Sequence, residues 1–154
     1  MIYRYKTTIP QIKNFVRVYE VRASSTLYAF HLFLQNDLSF SPDQQVSFRT
    51  YKEADHQVRV CGLFDTGYGA MDQVVLEMLH EKGEDILHYV FDVFKGRYLI
   101  LQFDGCEDEL FRKAYPRTIM ERGGSPDQFR EDQISFEMHL EELESDSVED
   151  NSGE

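Results

Sequence analysis

The sequence contains no tryptophan and only two cysteines among its 154 residues. Cys61 and Cys106 lie far apart, without a Cys-x-x-Cys pair or a neighbouring histidine at metal-ligand spacing, so neither a disulfide framework nor a zinc motif is indicated. We expect both to be reduced, partly buried thiols. Because tryptophan is absent, the core must be filled by other large side chains, and 12 Phe and 9 Tyr are available.

Long apolar runs are also absent. No stretch approaches the roughly 18 to 20 residues that a membrane-spanning helix needs. The first fifteen residues, MIYRYKTTIPQIKNF, are too polar for the apolar core of a signal peptide. We therefore expect a cytoplasmic protein without a membrane segment.

Basic residues are missing from the C-terminal part of the chain. Residues 131–154 carry ten of the 28 acidic residues and no Lys or Arg, whereas the remaining 18 acids nearly balance 16 bases. The net charge of -12 thus belongs mostly to this segment. We expect one domain over residues 1–130 and a largely disordered acidic tail over 131–154. A concentrated polyanion beside scattered bases makes direct nucleic-acid binding unlikely.

Two functions are open for the acidic tail. It can simply keep an aromatic-rich domain soluble. Alternatively, Ile134, Met138, Leu140 and Leu143 can form the apolar side of an acidic amphipathic helix that binds a partner. These positions fit a single helical stripe only in part, which favours the solubilising role.

Periodicity predicts eight elements in the order ββαββαββ. Alternating side chains mark strands, and apolar residues three or four apart mark helices. Ser24 or Ser25 is placed to cap the first helix, and Asp72 the second. The strands are predicted at 2–9, 15–22, 46–51, 58–63, 86–94 and 97–103, and the helices at 26–38 and after residue 72. The polar KEADHQ connection is predicted to be a loop that is too long for a two-residue turn. The resulting fold class is α+β, with a mixed, mainly antiparallel sheet, two helices and a β-grasp-like arrangement.

The segment 87–103, LHYVFDVFKGRYLILQF, predicts a hairpin that turns at Lys95 and Gly96. Both arms are aromatic or β-branched on both faces, which is typical of strands buried on two sides. We therefore place this hairpin in the middle of the sheet. Its aromatic residues Phe91, Phe94 and Tyr98 exceed what a small core needs, so exposed members can form a homodimer surface or bind a protein partner.

Three motifs carry a resemblance to a known family: MIYRYK at the start, TLYAFHLFLQNDL with His31 inside it, and YVFDVFKGR at 89–97. Over about residues 1–129 the chain resembles the plasmid pRiA4b open-reading-frame-three-like family of mobile-element passenger proteins. It is most similar to divergent, Bacteroidetes-type members. Typical members continue Tyr-Asp with Phe-Gly-Asp, then Trp and His, where this chain has Val93, Phe94, Lys95, Arg97 and Leu99. The resemblance therefore implies a fold, without an inherited reaction.

Among the five histidines, none forms an HxH or HxxxH pair. The best constellation is His88 with Asp92, which lie at even spacing on one strand and so on one face. The alternative is structural: His88 packs at a strand edge while Asp92 accepts hydrogen bonds near the turn. We favour the structural role.

Three further motifs indicate no site. Apolar neighbours of Cys61 favour a core thiol over a nucleophile. The DGCEDE run at 104–109 lacks the ligand register of a calcium loop and predicts a solvated acidic segment. The two glycines of DTGYGAMD lack the spacing of a phosphate-binding loop.

Taken together, the residues favour a non-enzymatic protein-binding or adaptor domain without a cofactor or bound metal. The competing hypothesis is a metal-dependent or hydrolytic enzyme with a site near the 87–103 hairpin. That site would use His88, Asp92 and Asp127.

Overall fold

The computed structural model describes residues 1–64 and 70–126. Within them, seven strands form one sheet in the order β4-β3-β5-β6-β1-β2-β7. Each neighbouring pair is antiparallel. The strands are β1 (Ile2–Ile9), β2 (Ile12–Arg22), β3 (Ser47–Glu53), β4 (His56–Gly62), β5 (Ile86–Asp92), β6 (Arg97–Glu107) and β7 (Arg117–Arg122). The helices are α1 (Leu27–Asp37) and α2 (Leu76–Glu81), preceded by a 3₁₀ turn at Met71–Gln73.

The predicted α+β, β-grasp-like class is wrong. The fold is β-rich, and its sheet contains no parallel strand pair among the described residues. A mixed sheet needs a parallel neighbour, but β1 lies between β2 and β6 and runs antiparallel to both. Periodicity assigns residues to strands and carries no information on which strands pair across long sequence separations. The strand order of the sheet could therefore not be predicted from periodicity.

Strand β7 is absent from the predicted elements, because Pro116, Gly123 and Gly124 are strong strand breakers and favour a loop there. These residues lie just outside β7, whose own residues pair with β2 from Val16 to Glu20. The pairing is reinforced where the Arg117 guanidinium donates to the buried Glu20 carboxylate at 2.7 Å. An edge strand can form between two breakers when a partner strand supplies the backbone hydrogen bonds.

The connection between β3 and β4 is shorter than predicted. Glu53 pairs with His56, so Ala54 and Asp55 make a two-residue turn. Register shifts on either side of Tyr51 let the two strands continue into the polar segment. The prediction of a longer loop was wrong, since polar residues at a sheet edge are compatible with strand structure.

Helix α1 begins one residue later than the predicted caps allow. The Thr26 hydroxyl, rather than Ser24 or Ser25, accepts a hydrogen bond from the Ala29 backbone N–H at 3.0 Å. The second helix likewise differs, because Asp72 lies in the 3₁₀ turn and α2 has no side-chain cap. Its buried residues are Leu76 and Leu79.

The two faces of the sheet have different surroundings. On the first face, α1 and α2 pack against aromatic side chains: Phe30 of α1 meets Tyr5 and Tyr19, and His80 of α2 meets Tyr3. The first face and the helices together form the hydrophobic core. The second face carries the alternate strand residues, among them Arg49, His88 and Ile100, which are paired across β3, β5 and β6.

The β5–β6 hairpin lies in the middle of the sheet, which confirms its predicted position. Five consecutive residues of β5, from Leu87 to Phe91, are buried. Gly96 adopts φ 68° in the turn, as a glycine readily does. Phe91 stacks on Phe40 at 4.7 Å between ring centroids and is 0% exposed, so it is unavailable for a dimer surface. The predicted acidic tail, 131–154, lies outside the described residues.

Candidate functional site

His88 and Asp92 do not form a catalytic pair, and the prediction that they share one face of β5 is wrong. The register shifts between Val90 and Asp92, so Asp92 is paired with Arg97, whose guanidinium carbon lies 5.3 Å from the centre of the Phe91 ring. The Asp92 carboxylate accepts hydrogen bonds from the Arg97 guanidinium at 2.7 Å and from the Lys95 backbone N–H at 3.2 Å. His88 Nδ1 has no hydrogen-bond partner among the residues that the structure describes. Asp92 therefore holds the turn, as the structural alternative proposed. The third candidate, Asp127, lies outside the described residues.

His88 belongs instead to an aromatic cluster on the second face. Its ring lies between Tyr51 and Tyr98, with centroid distances of 4.3 and 4.4 Å. Arg49 is paired with His88 across the strands, and its guanidinium carbon is 5.0 Å from the centre of the Tyr98 ring. Burial, with a further contribution from the positive Arg49, lowers the pKa of His88 to about 4. The imidazole is therefore neutral at pH 7.

Two polar atoms of this cluster, His88 Nδ1 and Arg49 Nε, are buried without a hydrogen bond to any described residue. Buried polar atoms almost always have a partner, and one left unpaired costs about 1–3 kcal/mol. Arg49 also has no carboxylate partner among residues 1–64 and 70–126. The second-face cluster, defined as Arg49, Tyr51, His88 and Tyr98, thus has the chemistry to accept an anionic, hydrogen-bonding group.

Sequence reasoning found His88 and missed Arg49 and Tyr51. The available signal was the alternation within the predicted strand 46–51, which places Arg49 and Tyr51 on one face. The register that sets them beside His88 depends on pairing between residues some 40 positions apart in the sequence. That information is not contained in a local pattern.

A second buried histidine lies on the first face. His31 Nδ1 is 2.8 Å from the Tyr89 hydroxyl, inside the core. Burial lowers the pKa of His31 and raises that of Tyr89. Both groups are neutral at pH 7 and hydrogen-bond to one another, so this pair joins α1 to β5.

The remaining sequence candidates have structural environments. Cys61 is buried, and burial raises the pKa of its thiol, which confirms the predicted core thiol. Cys106 is exposed rather than partly buried. Asp104 and Glu107 contact Arg4 at the end of β6. Within the described ranges, 1–64 and 70–126, no three His, Cys, Asp or Glu side chains are grouped to hold a metal ion.

An apolar surface lies where β3 begins and where β4 and β5 end. We define the strand-end patch as Val60, Leu63, Phe64, Val93 and Phe94, whose side chains are between 36% and 96% exposed. The first four line a groove of about 650 Å³ whose other wall is the segment 42–47. Phe94 follows Val93 in the hairpin turn and is 96% exposed. Of the predicted dimer residues, Phe94 alone is strongly exposed, since Tyr98 lies in the second-face cluster.

Comparison with known proteins supports the fold and leaves the function open. No family model and no curated protein matches the chain. A solved structure is similar: the crystal structure of the protein of unknown function MM3350 from Methanosarcina mazei Go1. It has a TM-score of 0.76 and 14% identity, over 96% of this chain and 84% of that chain. At this identity the likeness shows the fold alone, and the plasmid-family resemblance stays a prediction. No helix of the described residues is long and apolar enough to cross a membrane.

Proposed function

We propose that this chain is a non-enzymatic protein-binding domain and that the strand-end patch makes the contact. The observation that carries the proposal is the near-complete exposure of Phe64 and Phe94, at 81% and 96%, beside an apolar groove. Large apolar side chains grouped on a surface mark interaction sites. Aromatic residues that enter a pocket are also the usual anchors of protein interfaces.

The occupant that fits this surface is a second copy of the chain. A two-fold interface requires one surface to be complementary to itself, so that residue i contacts j and j contacts i. The patch has both parts side by side: Phe94 projects from the hairpin turn, and the groove opens next to Val93. Phe94 of each copy can therefore enter the groove of the other.

Sedimentation equilibrium over a range of concentrations tests this proposal. The wild-type chain is expected to dimerise, and Phe64→Ser with Phe94→Ser to weaken the dimer at least about tenfold, or about 1.4 kcal/mol. Phe111→Ser is the matched control, because Phe111 is 91% exposed but lies in the β6–β7 connection, outside the patch. A monomeric wild-type chain, or equal weakening by the control, would contradict the proposal.

The enzyme hypothesis remains the alternative, and its support is the unpartnered Nδ1 of His88. Elemental analysis of the purified protein and a thermal-shift series with divalent metals distinguish the two functions. We expect no stoichiometric metal and no shift in melting temperature. Substrate turnover that His88→Ala or Asp92→Asn abolishes would overturn the assignment as a binding domain.

We also propose that the chain is a divergent plasmid pRiA4b open-reading-frame-three-like protein that acts in the cytoplasm. The three sequence motifs support the first part. The free, exposed thiol of Cys106 supports the second, because exposed thiols persist in reducing compartments. Cell fractionation followed by immunodetection tests the location, and recovery in the periplasmic or membrane fraction would contradict it.

A further inference from the structure

The second face of the sheet carries cations that the described residues leave without a carboxylate. Lys6, Arg49 and Arg122 have no salt-bridge partner among residues 1–64 and 70–126. Their pairing places all three on this face: Lys6 lies opposite Val18, Arg122 opposite Val16, and Arg49 opposite His88. Both helices of the described residues pack on the other face. The second face therefore carries three positive charges that no carboxylate of the described residues pairs with.

Within this positively charged face, the second-face cluster has two buried atoms that need a hydrogen-bond acceptor. His88 is 9% exposed, and its Nδ1 and the nearby Arg49 Nε are buried without partners. Arg49 Nε can only donate a hydrogen bond, and the neutral His88 donates from Nδ1 in one of its two tautomers. A group with two adjacent acceptor oxygens satisfies both atoms, and carboxylate is the form in which proteins supply such a group.

We infer that the acidic C-terminal segment, residues 131–154, binds across the second face of its own domain, with one of its carboxylates bonded to Arg49 and His88. The segment supplies ten carboxylates and has no Lys or Arg of its own to neutralise them. This contact is independent of the strand-end patch, which lies at the ends of the strands.

The end of β7 lies in a position that favours this contact. Strand β7 ends at Arg122, which lies opposite Val16. On the same level of the sheet, Thr8 is paired with Ile100, Ile100 with His88, and His88 with Arg49. With strands about 4.8 Å apart, the four to five strand spacings from β7 to β5 and β3 amount to roughly 20–25 Å. About eight extended residues span that distance, so carboxylates from about Asp132 onward can reach the cluster.

The sequence of the segment matches the surface in polarity as well as charge. From Ile134 to Leu140 apolar and polar residues alternate, in the order Ile, Ser, Phe, Glu, Met, His, Leu. This period of two is typical of a chain that places one side against an apolar surface. The second face offers the apolar side chains Val18, Ile86, Ile100 and Met120 between its cations.

Paramagnetic relaxation in the full-length chain tests the inference. A nitroxide label is attached through Ser135→Cys in a Cys106→Ser background, where the buried Cys61 is protected from labelling. Amide signals of Lys6, His88 and Ile100 are expected to lose most of their intensity, while those of α1 on the first face keep theirs. The reduced, diamagnetic label gives the reference intensities.

Two perturbations separate a specific contact from chance proximity. Arg49→Gln is expected to restore most of the lost intensity, and so is about 1 M salt, which shortens the screening length to about 3 Å. Lys82→Gln is the matched control, because it removes one exposed positive charge at the end of α2, on the first face. It is expected to leave the broadening unchanged.

Three outcomes would overturn the inference. In the first, the label broadens only the amide signals of the edge strand β7. In the second, it broadens the signals of both faces equally. In the third, Arg49→Gln and salt leave the broadening unchanged. Addition of acetate gives a further discrimination. If acetate shifts the His88 and Arg49 signals while the labelled segment stays distant, the cluster binds small carboxylates and the segment is not its ligand.

Discussion

At the scale of single residues, the buried carboxylate of Glu84 gives a direct test of the interior. Glu84 is 1% exposed and accepts hydrogen bonds from Thr50 at 2.8 Å and from the Arg59 guanidinium at 2.9 and 3.1 Å. Arg59→Ala is expected to lower the free energy of unfolding by about 3–5 kcal/mol, because it leaves a buried charge without its cation. Urea denaturation measures the loss. Arg4→Ala, which removes ion pairs with the exposed Asp104 and Glu107, is expected to cost about 1 kcal/mol or less.

His88 makes the stability depend on pH in a defined direction. Its pKa of about 4 in the folded chain lies below the ordinary 6.5, so between these values only the unfolded chain binds the proton. Stability is therefore lost as the pH falls from about 6.5 towards 4, by roughly 2 kcal/mol between pH 7 and pH 5. His31, whose pKa is also lowered, contributes in the same direction.

Urea denaturation of the wild-type chain and of His88→Phe, each at pH 7 and pH 5, checks this expectation. The variant is expected to lose less stability than the wild type when the pH is lowered. An equal loss in the two proteins would show that His88 is protonated as readily in the folded chain as in the unfolded one.

At the scale of elements, the start of α1 depends on Thr26. Its hydroxyl accepts the Ala29 N–H, so Thr26→Ala is expected to cost about 1 kcal/mol of stability. Ser24→Ala tests the position that the sequence alone suggested and is expected to change stability by less than about 0.5 kcal/mol. Thermal or urea unfolding of both variants decides between the two positions, and a larger loss at Ser24 would contradict the assigned cap.

The end of β7 depends on Gly123. Its φ of +84° favours glycine, and a Cβ there would lie 2.5 Å from the Asn14 carbonyl oxygen. Gly123→Ala is therefore expected to accelerate amide hydrogen exchange throughout β7. Gly124→Ala meets no atom within 4 Å and is expected to leave exchange unchanged. Similar exchange in the two variants would show that β7 does not depend on this close approach.

Elements were predictable where local pattern decides them, and pairing was not. The sequence predicts β1 at 2–9, as observed, and the central hairpin follows from apolar residues on both faces of β5. In contrast, β7 was missed because its flanking Pro116 and Gly123 outweigh six polar or modestly apolar residues. Its stability comes from β2, which is distant in sequence. The β-grasp-like topology was wrong for the same reason.

At the scale of the whole molecule, the two faces of the sheet have different roles: the first forms the core, and the second carries the candidate binding residues. Aromatic and aliphatic residues of the first face and helices form the core, whereas Arg49 and His88 on the second face remain unsatisfied. Sequence reasoning identified His88 and Phe94 as residues of interest and paired them with the wrong neighbours, Asp92 and Phe91. Strand register places Arg49 beside His88. The groove beside Val93 forms because the ends of strands that are distant in sequence meet in the folded protein.

The central claim is that the strand-end patch of one copy receives Phe94 of another. Replacement of Phe94 by the photoreactive p-benzoylphenylalanine, followed by irradiation and peptide mass spectrometry, tests it at residue resolution. Mixing chains of two isotopic compositions distinguishes cross-links between copies from those within one copy. Cross-links between copies are expected in the groove segments 42–47 and 60–64. Cross-links confined to one chain, or to α1 on the first face of the partner copy, would contradict it.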